Sequence, residues 1–117
     1  MAEQGFTIST HVLDLETGEP AEGFPVALFR LAEDGSPILL AEARTDADGR
    51  IRALVQGNLA DGSYQLVFDI TAYYDADDAD APFFENMAIG FRIDDTQRSY
   101  HVPLLLSPFG LSTYRGS

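Results

Sequence analysis

Two histidines, His11 and His101, and seven arginines are the side chains of this sequence best suited to chemistry. A histidine titrates near neutrality and can take or give a proton. An arginine offers a planar fork of donors to carbonyl or carboxylate oxygens. Other common routes are closed. There is no cysteine, hence no thiolate nucleophile and no disulfide framework. No serine stands in a nucleophile motif, and no glycine-rich loop is built to cradle phosphate. Two histidines without thiolates fall short of an ordinary zinc site. By elimination, catalysis would run through His11, His101, an arginine and hydroxyl groups, with no metal and no cofactor. A lone histidine on a strand is more often a surface or structural residue. The elements that carry the two histidines therefore decide their worth.

Those elements are short strands between turn signals, the pattern of an all-β sandwich. Residues Phe6 to Leu13 alternate. Phe6, Ile8, Thr10 and Val12 fall on one face, and Thr7, Ser9 and His11 on the other. His11 thus points away from the core. Glu16 to Pro20 breaks this strand. Further strands are expected over Pro25–Leu31, Ile38–Thr45, Ile51–Leu54, Tyr64–Ile70, Met87–Ile93, Tyr100–Leu106 and Leu111–Arg115. Asp34-Gly35, Asp48-Gly49 and Asp61-Gly62 mark turns between them. The segment Thr71 to Ala81 lacks a period of two, and a short helix or an acidic loop both fit it. In the Tyr100 strand, His101 shares a face with Pro103 and Leu105, while Tyr100, Val102 and Leu104 take the other. A strand apolar on both faces is normally covered on both. His101 should then lie against something outside the sandwich core, with a second subunit the natural cover. The last two strands, joined by the tight turn Pro108-Phe109-Gly110, should pair as a hairpin.

The chain of 117 residues has room for one domain, residues 1–117, with neither repeat nor linker. Its net charge is −12, and every cation is an arginine. Such a surface repels phosphate, which argues against nucleic acid and anionic membranes as partners. No apolar run approaches the ~20 residues of a membrane span. No secretory leader and no Ser-Lys-Leu ending is present, so a cytoplasmic location is expected. The run Asp75, Asp77, Asp78, Asp80 lacks the glycine and closing glutamate of a calcium loop and reads as a solvated turn. Composition and periodicity stop at an oligomeric β-sandwich.

Three motifs and the last residues go further. Ser9-Thr10-His11-Val12-Leu13-Asp14 resembles the opening motif of the transthyretin-related 5-hydroxyisourate hydrolases. Ala43 to Arg50, ARTDADGR, resembles their central motif. Tyr100 to Pro108, YHVPLLLSP, resembles their C-terminal signature, and the chain finishes Tyr114-Arg115-Gly116-Ser117, the family's YRGS. Two positions depart from the pattern. Leu111 stands where a tyrosine is expected, and Asp46 where an asparagine is more usual. Neither position is assigned chemistry in the family, so local packing is what they put in question.

The resemblance implies a transthyretin-like, eight-stranded sandwich of two four-stranded sheets with one short helix. One sheet would carry His11, Arg50, His101 and the YRGS tail. It implies a homotetramer, with subunits paired edge to edge and the sites at the interface between dimers. It implies hydrolysis of 5-hydroxyisourate to 2-oxo-4-hydroxy-4-carboxy-5-ureidoimidazoline in urate breakdown. The catalytic residues would be His11, Arg50 and His101, with His101 as base and His11 as its partner. Arg50 would bind substrate oxygens and depress a neighbouring histidine's pKa. Tyr114 and Ser117 would also line the substrate site, and Arg115 would either join them or tie the tail to a neighbouring subunit. The competing expectation is a transthyretin-like carrier of small ligands without catalysis, which the histidine–arginine set and the YRGS ending disfavour.

Overall fold

The computed structural model describes residues 6–57, 60–74 and 82–116. Nine strands and one helix appear in the order β1 (Phe6–Asp14), β2 (Glu19–Pro20), β3 (Pro25–Leu31), β4 (Pro37–Arg44), β5 (Arg50–Gly57), β6 (Gly62–Asp69), α1 (Ile70–Tyr73), β7 (Asn86–Ile93), β8 (Tyr100–Ser107) and β9 (Gly110–Thr113). Eight of these are the strands expected from the alternation. The ninth, β2, is two residues long and lies inside the stretch expected only to break the first strand.

Two sheets form the sandwich. In the first, β1 is central, with β5 and β2 along one edge, β8 along the other and β9 beyond it. The second runs β4-β3-β6-β7. The strands bearing His11, Arg50 and His101 therefore share one sheet, as the resemblance implied. The β1–β8 pair is parallel, whereas every other ladder is antiparallel.

The alternation explains the core. Ile8, Val12, Leu104 and Leu106 project from the first sheet onto Val26, Leu28, Leu66 and Phe68 of the second, all essentially inaccessible to solvent. Full burial of each such side chain stabilises the fold by about 1.5–3 kcal/mol. Thr10 also faces inward, and its hydroxyl is satisfied by the Val102 carbonyl at 2.6 Å. Leu111 packs at the margin of this core, opposite Leu106. An apolar side chain suits that position, which answers the packing question its departure raised.

The segment after β6 resolves towards helix at its start. Asp69 caps α1, its carboxylate accepting from the Ala72 N–H at 3.1 Å. The acidic run Asp75–Asp80 lies outside the described residues. Among the described residues, no helix is long and apolar enough to cross a membrane.

Candidate active site

The outer face of the first sheet is organised by cross-strand register. His11 on β1 stands directly opposite Arg50 on β5 and beside Pro103 on β8. The next row places Ser9 beside His101 and continues to Gly116, which bridges back to His101 from the tail. Because successive residues of a strand alternate, His11 and Ser9 share a face, as do His101 and Pro103. Two adjacent rows thus hold both histidines and Arg50. The structure brings together the three residues expected to be catalytic.

His101 is half-buried, and its Nδ1 lies 2.8 Å from the Ser9 hydroxyl. Burial, then the neighbouring His11, then Arg50 hold its pKa below the ordinary histidine value. The imidazole is therefore neutral near pH 7. Arg50 contributes in the sense the sequence suggested, but desolvation is the larger cause.

Arg50 is presented by a tight turn. The Asp46 carboxylate accepts from the backbone N–H of Asp48 at 2.9 Å and of Arg50 at 3.0 Å. The Arg50 bond is the main reason the Asp46 carboxyl sits below its usual pKa. The Asp46 N–H in turn donates to the Arg50 carbonyl at 2.9 Å. An asparagine oxygen could fill the same acceptor role, which explains how the aspartate is tolerated here. Gly49 completes the turn with φ +74° and its carbonyl accepts from Val12 N–H at 2.8 Å. A Cβ at Gly49 would come within 2.5 Å of the Val12 carbonyl oxygen, so the turn requires glycine on both counts.

Above these rows lies a recess of about 390 Å³, lined among others by Ser9, Arg50, Arg52, Arg98, Ser99 and His101. That volume suits a small polar molecule. On its other side His101 borders a second hollow of about 250 Å³ with Ile89, Phe91, Tyr114 and Arg115. Tyr114 is therefore near His101 but flanks the second hollow rather than the Arg50 recess. Its side chain is largely exposed. The Arg115 guanidinium lies 5.0 Å over the Tyr100 ring, which ties the tail to its own chain. Ser117 lies outside the described residues. No cluster of histidine, aspartate and glutamate able to hold a metal occurs among the described residues.

Ser9, Asp46 and Gly116 belong to this arrangement without having been singled out for it. Parity already put Ser9 on the face of His11. Its contact with His101 needed the parallel β1–β8 register, which no local signal encodes.

The chain is 44% identical to a 5-hydroxyisourate hydrolase of Caulobacter vibrioides over 114 residues, covering 94% of this chain and 97% of the relative. The structure of Klebsiella pneumoniae 5-hydroxyisourate hydrolase superposes with a TM-score of 0.81 at 40% identity, over 95% of this chain and 99% of that one. Sea bream transthyretin in complex with thyroxine superposes with a TM-score of 0.86 at 29% identity, over 94% of each chain. Residues 8–116 match the HIUase/Transthyretin family, and the chain belongs to that family.

Proposed function

We propose that this chain hydrolyses 5-hydroxyisourate, opening its ring to 2-oxo-4-hydroxy-4-carboxy-5-ureidoimidazoline in the breakdown of urate. The observation that carries this reading is the imidazole of His101, its pKa held low chiefly by burial, set among His11, Arg50 and Ser9 on one open sheet face. The hydrolases at 40–44% identity support it.

In this reading neutral His101 takes a proton from water as the oxygen adds to a ring carbonyl. The Ser9 hydroxyl accepts from Nδ1–H, which leaves the Nε2 lone pair free for the proton. The carbonyl oxygen becomes an oxyanion, and the Arg50 fork donates to it. The adduct collapses with cleavage of the ring C–N bond. The imidazolium returns its proton to the departing nitrogen, and the new carboxyl group ionises against Arg50. His11, opposite Arg50, holds the attacking water or the substrate edge. Tyr114 borders the hollow on the other side of His101, away from this recess. Positioning supplies much of the acceleration, because the substrate already hydrolyses slowly unaided.

The working unit in this reading is a homotetramer with sites at the dimer–dimer interface. Its support is that β7 and β9 pair on one side only among the described strands, and that Leu15, Phe83, Phe109 and Tyr114 are exposed. Light scattering at micromolar concentration should give four times the chain mass.

The decisive test generates 5-hydroxyisourate from urate with urate oxidase and follows its ultraviolet decay. The protein should accelerate decay, and His101→Asn and Arg50→Ala should each lower kcat/KM by at least about 100-fold. Decay at the spontaneous rate from a folded protein would favour the carrier reading, which rests on the superposition with thyroxine-bound transthyretin.

A further inference from the structure

We propose that Gly116 is a positioning residue for His101, and that its lack of a side chain is what allows the imidazole its working orientation. The inference rests on the role given to His101 above. Gly116 is directly opposite His101 across an antiparallel bridge, and its N–H donates to the His101 carbonyl at 2.8 Å. In such a pair the two side chains normally stand side by side. Here the imidazole occupies the space of both. A Cβ on Gly116 would come to 2.5 Å from His101 Cδ2, 3.2 Å from Cγ and 3.4 Å from Cβ.

The backbone does not call for glycine at this position. Among the described residues six glycines have positive φ, and Gly116 is not among them. The requirement comes from the ring alone. The ring cannot yield without cost, because its Nδ1 is tied to the Ser9 hydroxyl on the opposite side. Ser9 and Gly116 thus bracket His101 within one row. A methyl group at position 116 must either rotate the imidazole off Ser9 or lift the tail from β8.

The test compares the full-length chain with Gly116→Ala. The variant should lose about 100-fold in kcat with little change in KM, the scale expected when a catalytic group is misplaced by about an ångström. The acid limb of its pH profile should move up towards the ordinary histidine value, because the ring leaves the half-buried place beside His11 and Arg50. The ring nitrogen resonances of His101 should shift, a readout that needs no turnover. In a His101→Ala background the same substitution should cost nothing more, since the space it needs is then empty. If Gly116→Ala folds too poorly to assay, the double variant should recover the fold. Unchanged kcat and resonances in Gly116→Ala would overturn the proposal. So would an equal loss in both backgrounds, which would make Gly116 a tail anchor only. If the unmodified protein fails to accelerate decay, the hydrolase reading fails, while the resonances still decide how Gly116 places the ring.

Discussion

Folding lowers the His101 pKa below its ordinary value by half-burying the ring and setting His11 and Arg50 near it. Between its lowered pKa and 6.5 the unfolded chain binds more protons at this site than the folded one. This contribution to stability is therefore complete above pH 6.5 and is lost as pH falls towards the lowered value. For catalysis, kcat/KM should rise with pH to a plateau, with an acid-limb midpoint below 6.5. Arg50→Gln and His11→Asn should each move the His101 titration upward, measured by NMR on the ring. A midpoint above 6.5 in the unmodified protein would remove His101 as the base. At this scale the sequence was informative in one direction only. Histidine count and parity marked His11 and His101 as unusual, and the family motifs added Arg50. The roles of Ser9, Asp46 and Gly116 were not legible, because each acts through a neighbour that is distant in sequence or across a turn.

Strand existence was legible because burial on one face imposes a period of two. Strand ends were not. The fourth expected strand, Ile51–Leu54, runs Arg50–Gly57, and the ladder shifts register between Ile8 and Thr10. That irregularity puts Arg52 and Ala53 on the exposed side in succession, which hides the alternation. The last strand closes at Thr113 rather than Arg115, with Gly116 alone resuming the pairing. The Asp46–Arg50 turn is the element on which Arg50 depends. Gly49→Ala should destabilise the protein by roughly 1–3 kcal/mol through backbone strain alone. The contact with the Val12 carbonyl adds to this. Urea unfolding should show a lower midpoint with an unchanged slope. Loss of activity in the fraction still folded would show that the turn also aims Arg50.

For the whole molecule, net charge and local charge oppose each other. The chain carries −12, yet Arg50, Arg52 and Arg98 line one recess and Arg92 and Arg115 border the hollow beside it. Arg52 makes a long, exposed pairing with Asp48 at 3.7 Å, which costs little to exchange for a ligand. A cationic basin on an acidic body draws electron-rich substrates and repels them elsewhere. Raising salt from about 0.01 to 0.5 M shortens screening from roughly 30 Å to a few ångströms. Two opposite responses are expected. The melting temperature should rise as self-repulsion is screened, and kcat/KM should fall as the basin is screened. In Arg52→Gln/Arg98→Gln the fall in kcat/KM should flatten while the melting response remains.

The parallel pairing of β1 with β8 bears on how the protein comes to exist during synthesis. Ser9 and His101 are 92 residues apart, and β1 has no β8 to lie against until Tyr100–Ser107 has left the ribosome. Contacts of such long sequence separation are entropically costly and form late. A growing chain therefore carries β1 with one edge open for most of its translation, while the local antiparallel sheet β4-β3-β6-β7 can already assemble. Chaperone dependence and any tendency to aggregate should trace to that interval, and a chain interrupted before β8 should hold at most the His11–Arg50 pair of the site, without His101.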